Sequence, residues 1–175
     1  LAIRKSLLRD VVDCAREEIL DLKSEFDGVK TTNAEVLALK NQFSGWFSDV
    51  INYYMIQGAS IENLGLQGSK DFAKNFSAWR DGNFKPTARV ISNFTIWAGN
   101  QDFISLAQSR INQIRRGIEI LGFTLNAEIR GGLSGVEAEF QTTRALNEKA
   151  RDALRAYDSP DDSLLTIRAS LESLS

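Results

Sequence analysis

The side chains best suited to binding something in this sequence are aromatic. Of its 16 aromatic residues, 12 fall between positions 43 and 103. Phe43, Trp46, Phe47, Tyr54, Phe94 and Trp97 are the candidate binding residues within that window. As a pocket or exposed patch they would take an apolar or aromatic ligand, a partner helix or a bilayer interface, with tyrosine and tryptophan supplying polar tips. As core they would simply pack edge to face. Trp46-Phe47 and Tyr53-Tyr54 are adjacent pairs, and neighbours on a helix point about 100° apart. One ring of each pair is therefore expected at a flank of any narrow apolar stripe.

The same region is basic. Positions 69 to 116 hold eight Lys and Arg against three Asp, a net of +5 in a chain whose total is −2. Arg110, Arg115 and Arg116 are the candidate anion-binding residues. Arg110 is five and six residues from the other two, so the three do not share one helical line, although they could flank one groove. Basic side chains interleaved with rings suit single-stranded nucleic acid or anionic lipid. With a pI near 5.3 and no nucleic-acid motif, the ordinary reading is a solvated face, and nucleic acid is disfavoured as a partner.

Histidine is absent, and with it go Ser-His-Asp and Cys-His relays, the two-histidine zinc helix and the Glu-x-x-His di-iron motif. Acid, lysine or tyrosine chemistry is what an enzyme built from this chain would have to use. Glycine patterns do not fill the gap. Gly65 to Lys70 lacks the spacing and final Ser or Thr of a phosphate loop, and Val136 occupies the last glycine position that a nucleophile elbow needs at Gly131 to Gly135. Asp158, Asp161 and Asp162 lack the alternating ligands of a calcium loop, and Glu137 and Glu139 point to different helix faces. Asn75-Phe76-Ser77 and Asn93-Phe94-Thr95 match the glycosylation triplet, but their central rings read as buried. Cys14, the single cysteine, reads as a small core-edge residue. No cofactor and no metal site is expected.

These residues must be positioned by helices. Leu8, Val12, Ala15, Ile19, Leu22 and Phe26 recur at steps of four and three, predicting an amphipathic helix over 2–27 that ends at Asp27-Gly28. Thr32 and Glu35 form a capping-box pattern before a second helix over 33–57, followed by a short turn around Ile61 to Leu64. Ser69 is expected to cap a third over 70–81, stopped by Asp81-Gly82. Pro86 suits the first turn of a fourth over 86–98, where the β-branched content also permits a strand. Phe103, Ala107, Ile111, Ile114, Ile118, Leu121, Leu125 and Ile129 predict one long helix from Gln101 to the Gly131-Gly132 pair, unless Gly117 or Gly122 kinks it. A second capping box, Ser134 and Glu137, opens a helix to about Tyr157. Ser159, Pro160 and Asp162 open a last one, with Leu164, Ile167, Leu171 and Leu174 at heptad spacing.

Long amphipathic segments with short Gly, Ser, Thr and Pro connections predict an all-α fold, an antiparallel helix bundle of about four long helices with a shorter helical insertion. No linker separates two domains, so 1–175 reads as a single helical-bundle domain. Leu at position 1 and a lone methionine, Met55, suggest a piece of a longer protein. The expected function is a non-enzymatic ligand-sensing or protein-interaction domain, of the kind used in signalling. The alternative is a membrane-active, pore-forming-type or self-assembling helical protein. Partners admitted are a protein, a small apolar or aromatic ligand, a second copy in a homo-oligomer, and a membrane reached through the parent protein.

Overall fold

A computed structural model describes residues 1–157. The final predicted helix, with its heptad leucines, lies outside the described residues. Within them the chain is all-α, a helical bundle with no strand, and its helices are four long and one shorter. These are α1 (Ala2–Gly28), α2 (Ala34–Ser60), the short α3 (Leu66–Trp79), α4 (Lys85–Ile120) and α5 (Ala127–Arg155). Contacts cluster in two compact units, residues 1–95 and residues 96–157.

In the first unit α1 and α2 pair along their predicted stripes. Val12, Ala15, Ile19 and Phe26 are buried on one, and Val36, Leu39, Phe43, Phe47, Val50 and Tyr54 on the other. The cap of α2 is Asn33 rather than Thr32: its side-chain oxygen accepts from the Glu35 and Val36 N–H groups at 2.9 and 3.3 Å. Lys40 closes the connection between the helices by donating to the carbonyls of Asp27 and Val29 at 3.1 and 2.8 Å, while its ammonium lies over the Phe26 ring. A 3-10 turn at Ile61–Asn63 occupies the predicted short turn. The N-terminal half of α1 holds it through Lys5, which donates to the Glu62 carbonyl, and through the Arg9–Glu62 ion pair.

The third helix starts four residues earlier than Ser69 predicts. Gly65 stands at the cap, and Ser69 lies inside the helix with its hydroxyl donating to the Gly65 carbonyl at 2.8 Å. Nor does Asp81-Gly82 stop it. The chain continues through a π-helical turn, Arg80–Phe84, directly into α4, giving one unbroken run of 55 residues. Proline explains the wide turn. In a regular α-helix the ring of Pro86 would collide with the carbonyl four residues back, and one extra residue per turn moves that carbonyl aside. The Lys85 N–H accordingly bonds to the Arg80 carbonyl, five residues back. Lys85 also donates to Asp81 at 2.6 Å, which holds the Asp81 carboxyl below its ordinary range.

Residues 89–97, which could also have made a strand, are helical, and the break predicted between 98 and 101 is absent. Gly99 costs a helix interior only about 1 kcal/mol. The end of α4 comes instead at Gly122, whose φ of 71° is left-handed and therefore suited to glycine alone. The predicted run to Ile129 is thus divided. Asn126 caps α5, accepting from the Glu128 and Ile129 N–H groups at 3.0 Å each, and Gly131, Gly132, Ser134 and Gly135 fall inside that helix. Three glycines in its first three turns leave α5 dependent on this cap. Asn126→Ala is expected to lower stability by about 1 kcal/mol and to speed amide exchange selectively over residues 127–135.

Candidate functional site

The aromatic cluster forms around the π turn in the first unit. Tyr53 stacks on Trp79 with centroids 3.7 Å apart, and Tyr54 meets Phe76, Trp79 and Phe84 at 5.6 to 5.9 Å. Trp46 stacks on Phe84 at 5.7 Å. A second layer joins Phe26 to Phe47 and Phe94, and Phe43 to Phe94. As the adjacency argument requires, Phe47 and Tyr54 are buried while Trp46 and Tyr53 sit at the flank, half-buried. Among the candidate binding residues of this unit, Phe43, Phe47, Tyr54 and Phe94 are in the core, which leaves Trp46 as the one a ligand could reach without repacking.

Arg80 is drawn against this cluster. Its guanidinium pairs with Glu18 on α1 and lies 5.1 Å from the centre of the Phe84 ring. The Tyr54 hydroxyl and the Arg80 Nε are both buried without a hydrogen-bond partner. Burial pushes the Tyr54 phenol up to about 12, against a smaller downward pull from Arg80, and burial also raises Tyr53. The sequence reading did not single out Arg80, which stands at the start of a π turn that helical periodicity does not signal.

In the second unit Trp97 is fully buried, its indole N–H donating to the Asn147 carbonyl at 3.2 Å. Asn147 and Gln101 exchange side-chain hydrogen bonds at 3.0 and 3.2 Å. The three arginines are exposed and do not converge. Arg110 bonds Gln113, Arg115 reaches across to Glu137 at 2.6 Å, and Arg116 is exposed on α4. Glu137, expected at a helix cap, instead pins α5 to α4.

The feature that sequence periodicity missed is the side of α4 next to its buried face. Ile96, Phe103 and Ile114 recur at steps of 7 and 11, which brings them to one line of a 3.6-residue helix, and Leu121 follows just past the end of α4. They remain 54, 71, 53 and 66% exposed. Beside this line a groove of about 320 Å³ runs between the two helices, walled by Asn100, Phe103, Ile104, Ala107, Phe140 and Thr143. Its lining is mostly hydrocarbon, with Asn100 and Thr143 as its polar groups. Periodicity had placed Phe103 and Ile114 on the same core face as Ile111. Only Ile111 of the three is buried, because one facing helix covers less than the full apolar width of α4.

Among the described residues no group of acids and cysteine is arranged to hold a metal ion, and no helix is long and apolar enough to cross a membrane. Comparison with protein-family models, with curated proteins and with solved structures found no match to this chain.

Proposed function

We propose that this chain is a non-enzymatic interaction module whose second unit receives an amphipathic helix. The observation that carries the reading is the exposed line Ile96, Phe103, Ile114 and Leu121 beside the α4–α5 groove. Scattered apolar residues on a surface mean little, but Phe103, the most exposed of the four, stands in the wall of a concave hydrocarbon groove, which supports a binding surface there. Its form specifies the occupant. From Ile96 to Ile114 the line follows α4 for about 27 Å, and the groove beside it has few directional polar groups. That is the helix-in-groove mode, read by anchors at steps of three, four and seven.

The test is selection from a displayed library of 16-residue peptides against the full chain. Enriched sequences are expected to carry apolar residues at helical spacing and to bind at least tenfold more weakly to Phe103→Asp. Selection of small-molecule-like cyclic sequences without helical spacing, or binding indifferent to Phe103, would overturn the reading. Two further outcomes would overturn it in favour of other functions: co-sedimentation with phosphatidylserine vesicles that Phe103→Asp abolishes, and a dimer in sedimentation that the same substitution dissociates.

A further inference from the structure

A second groove lies within the first unit, between α1 and α3, and holds about 260 Å³. Leu7, Leu8 and Val11 of α1 and Ala73 of α3 make its walls hydrocarbon, and Arg4 and Lys70 are its charged side chains. We propose that this groove binds a single-chain anionic amphiphile, a free long-chain carboxylate. Its alkyl tail lies along Leu7, Val11 and Ala73, and its carboxylate is held by Arg4 and Lys70.

The groove has the polarity of such a molecule. The two helices run in the same direction, because Arg9 pairs with Glu62 just before α3 and Glu18 pairs with Arg80 just after it. Counting back from the Glu18–Arg80 pair at equal rise sets Lys70 level with Leu8 and Ala73 level with Val11. Arg4 stands one turn before Leu8, and helical side chains tilt toward the N-terminus, so both cations serve one end. Val11 and Ala73 line the other end, about 10 Å from Arg4 along α1.

Charge and exposure agree with that polarity. Neither Arg4 nor Lys70 forms an ion pair among the described residues, and residues 1–9 hold three bases and no acid. Ser69, the buried polar residue of the lining, gives its hydroxyl proton to the Gly65 carbonyl, which leaves the two cations as the donors for a head group. Leu7 and Val11 stay 58 and 49% exposed, and a tail laid over them takes that surface out of water. An anionic bilayer fits less well. From Ala2 to Gly28 the first helix carries five bases against seven acids, a net of −2, and only the end at Arg4 is basic.

The test is calorimetric titration of the full chain at pH 7 with decanoate kept below its micelle concentration, beside decanol as the uncharged chain and acetate as the head group alone. Decanoate is expected to bind one to one and at least about tenfold more tightly than decanol, with no binding of acetate. Arg4→Gln combined with Lys70→Gln should remove the preference for the acid over the alcohol. Lys74→Gln deletes the same charge one turn along α3, outside the groove, and should change affinity by less than about twofold. Ala73 is exposed, so Ala73→Phe fills the groove without touching the core and should abolish binding of both chains with the urea midpoint kept. Equal affinity for acid and alcohol, equal losses in Lys74→Gln and the double variant, or binding that survives Ala73→Phe would overturn the proposal. Co-sedimentation with phosphatidylserine vesicles without binding of monomeric decanoate would overturn it in favour of a membrane surface. This site stands apart from the α4–α5 groove, so Phe103→Asp is expected to leave decanoate binding intact.

Discussion

Replacing Trp97 with alanine is expected to lower the unfolding free energy by about 3–5 kcal/mol, the range for a large buried aromatic. Trp97 is fully buried, so nearly all of its side chain leaves a cavity that the neighbouring helix can only partly close. Its indole N–H also satisfies the Asn147 carbonyl, and Asn147 is a buried polar residue whose side chain is already committed to Gln101. Removing the ring therefore also deletes one hydrogen bond from a buried polar layer, a smaller loss than the void because the Asn147 carbonyl keeps its place in the backbone ladder of α5. Trp97→Phe separates the two contributions. It keeps much of the apolar volume, loses the hydrogen bond, and should cost about 1–2 kcal/mol. Against a total of about 5–15 kcal/mol for a domain, the alanine variant should unfold at much lower urea, followed by circular dichroism rather than by tryptophan fluorescence. A loss below about 1 kcal/mol would mean that Trp97 is not a structural core residue.

Trp97 also shows what the sequence could and could not reveal. Its apolar neighbours at helical spacing made it either a binding ring or a core ring, and only the facing helix decides between them. Apolar stripes carried the all-α fold class, because their period is a local property of the chain, whereas the caps read at Thr32, Ser69 and Ser134 gave way to Asn33, Gly65 and Asn126. Boundaries failed where two local signals competed. Asp81-Gly82 looks like a stop, yet Pro86 forces a wider turn without ending the helix, and the tertiary contacts of Phe84 and Arg80 hold that turn in place. Gly131-Gly132 looks like a stop too, but Gly122 lies earlier and is the residue with the left-handed backbone. The α4 groove was illegible for a different reason. Periodicity reports the apolar width of a helix, whereas exposure depends on how much of that width a neighbour covers, and Phe103 and Ile111 belong to one stripe with opposite fates.

The buried phenol of Tyr54 gives the second large effect, this time through pH. The folded state holds the Tyr54 pKa near 12, above the ordinary value of 10.0, chiefly because burial disfavours the phenolate. For an acid whose pKa is raised on folding, the unfolded chain gives up its proton first. The contribution is therefore present in full below pH 10 and is lost as pH rises from 10 through 12. The full difference corresponds to about 2–3 kcal/mol, and the half of it lost by pH 11, about 1.4 kcal/mol, is enough to move the unfolding midpoint in urea titrations at pH 8, 10 and 11. Tyr54→Phe should remove this part of the alkaline loss. At pH 7 the same substitution should leave stability unchanged or raise it by up to about 1 kcal/mol, because it deletes a buried hydroxyl that has no partner and keeps the ring against Phe76, Trp79 and Phe84. The opposite result at pH 7, a loss above about 1 kcal/mol, would show that the hydroxyl is hydrogen-bonded in solution, with Arg80 as the nearest cation to supply the bond. Arg80→Met then distinguishes the source: if Arg80 is that donor, Tyr54→Phe has no further cost in the Arg80→Met background, and the two substitutions are non-additive.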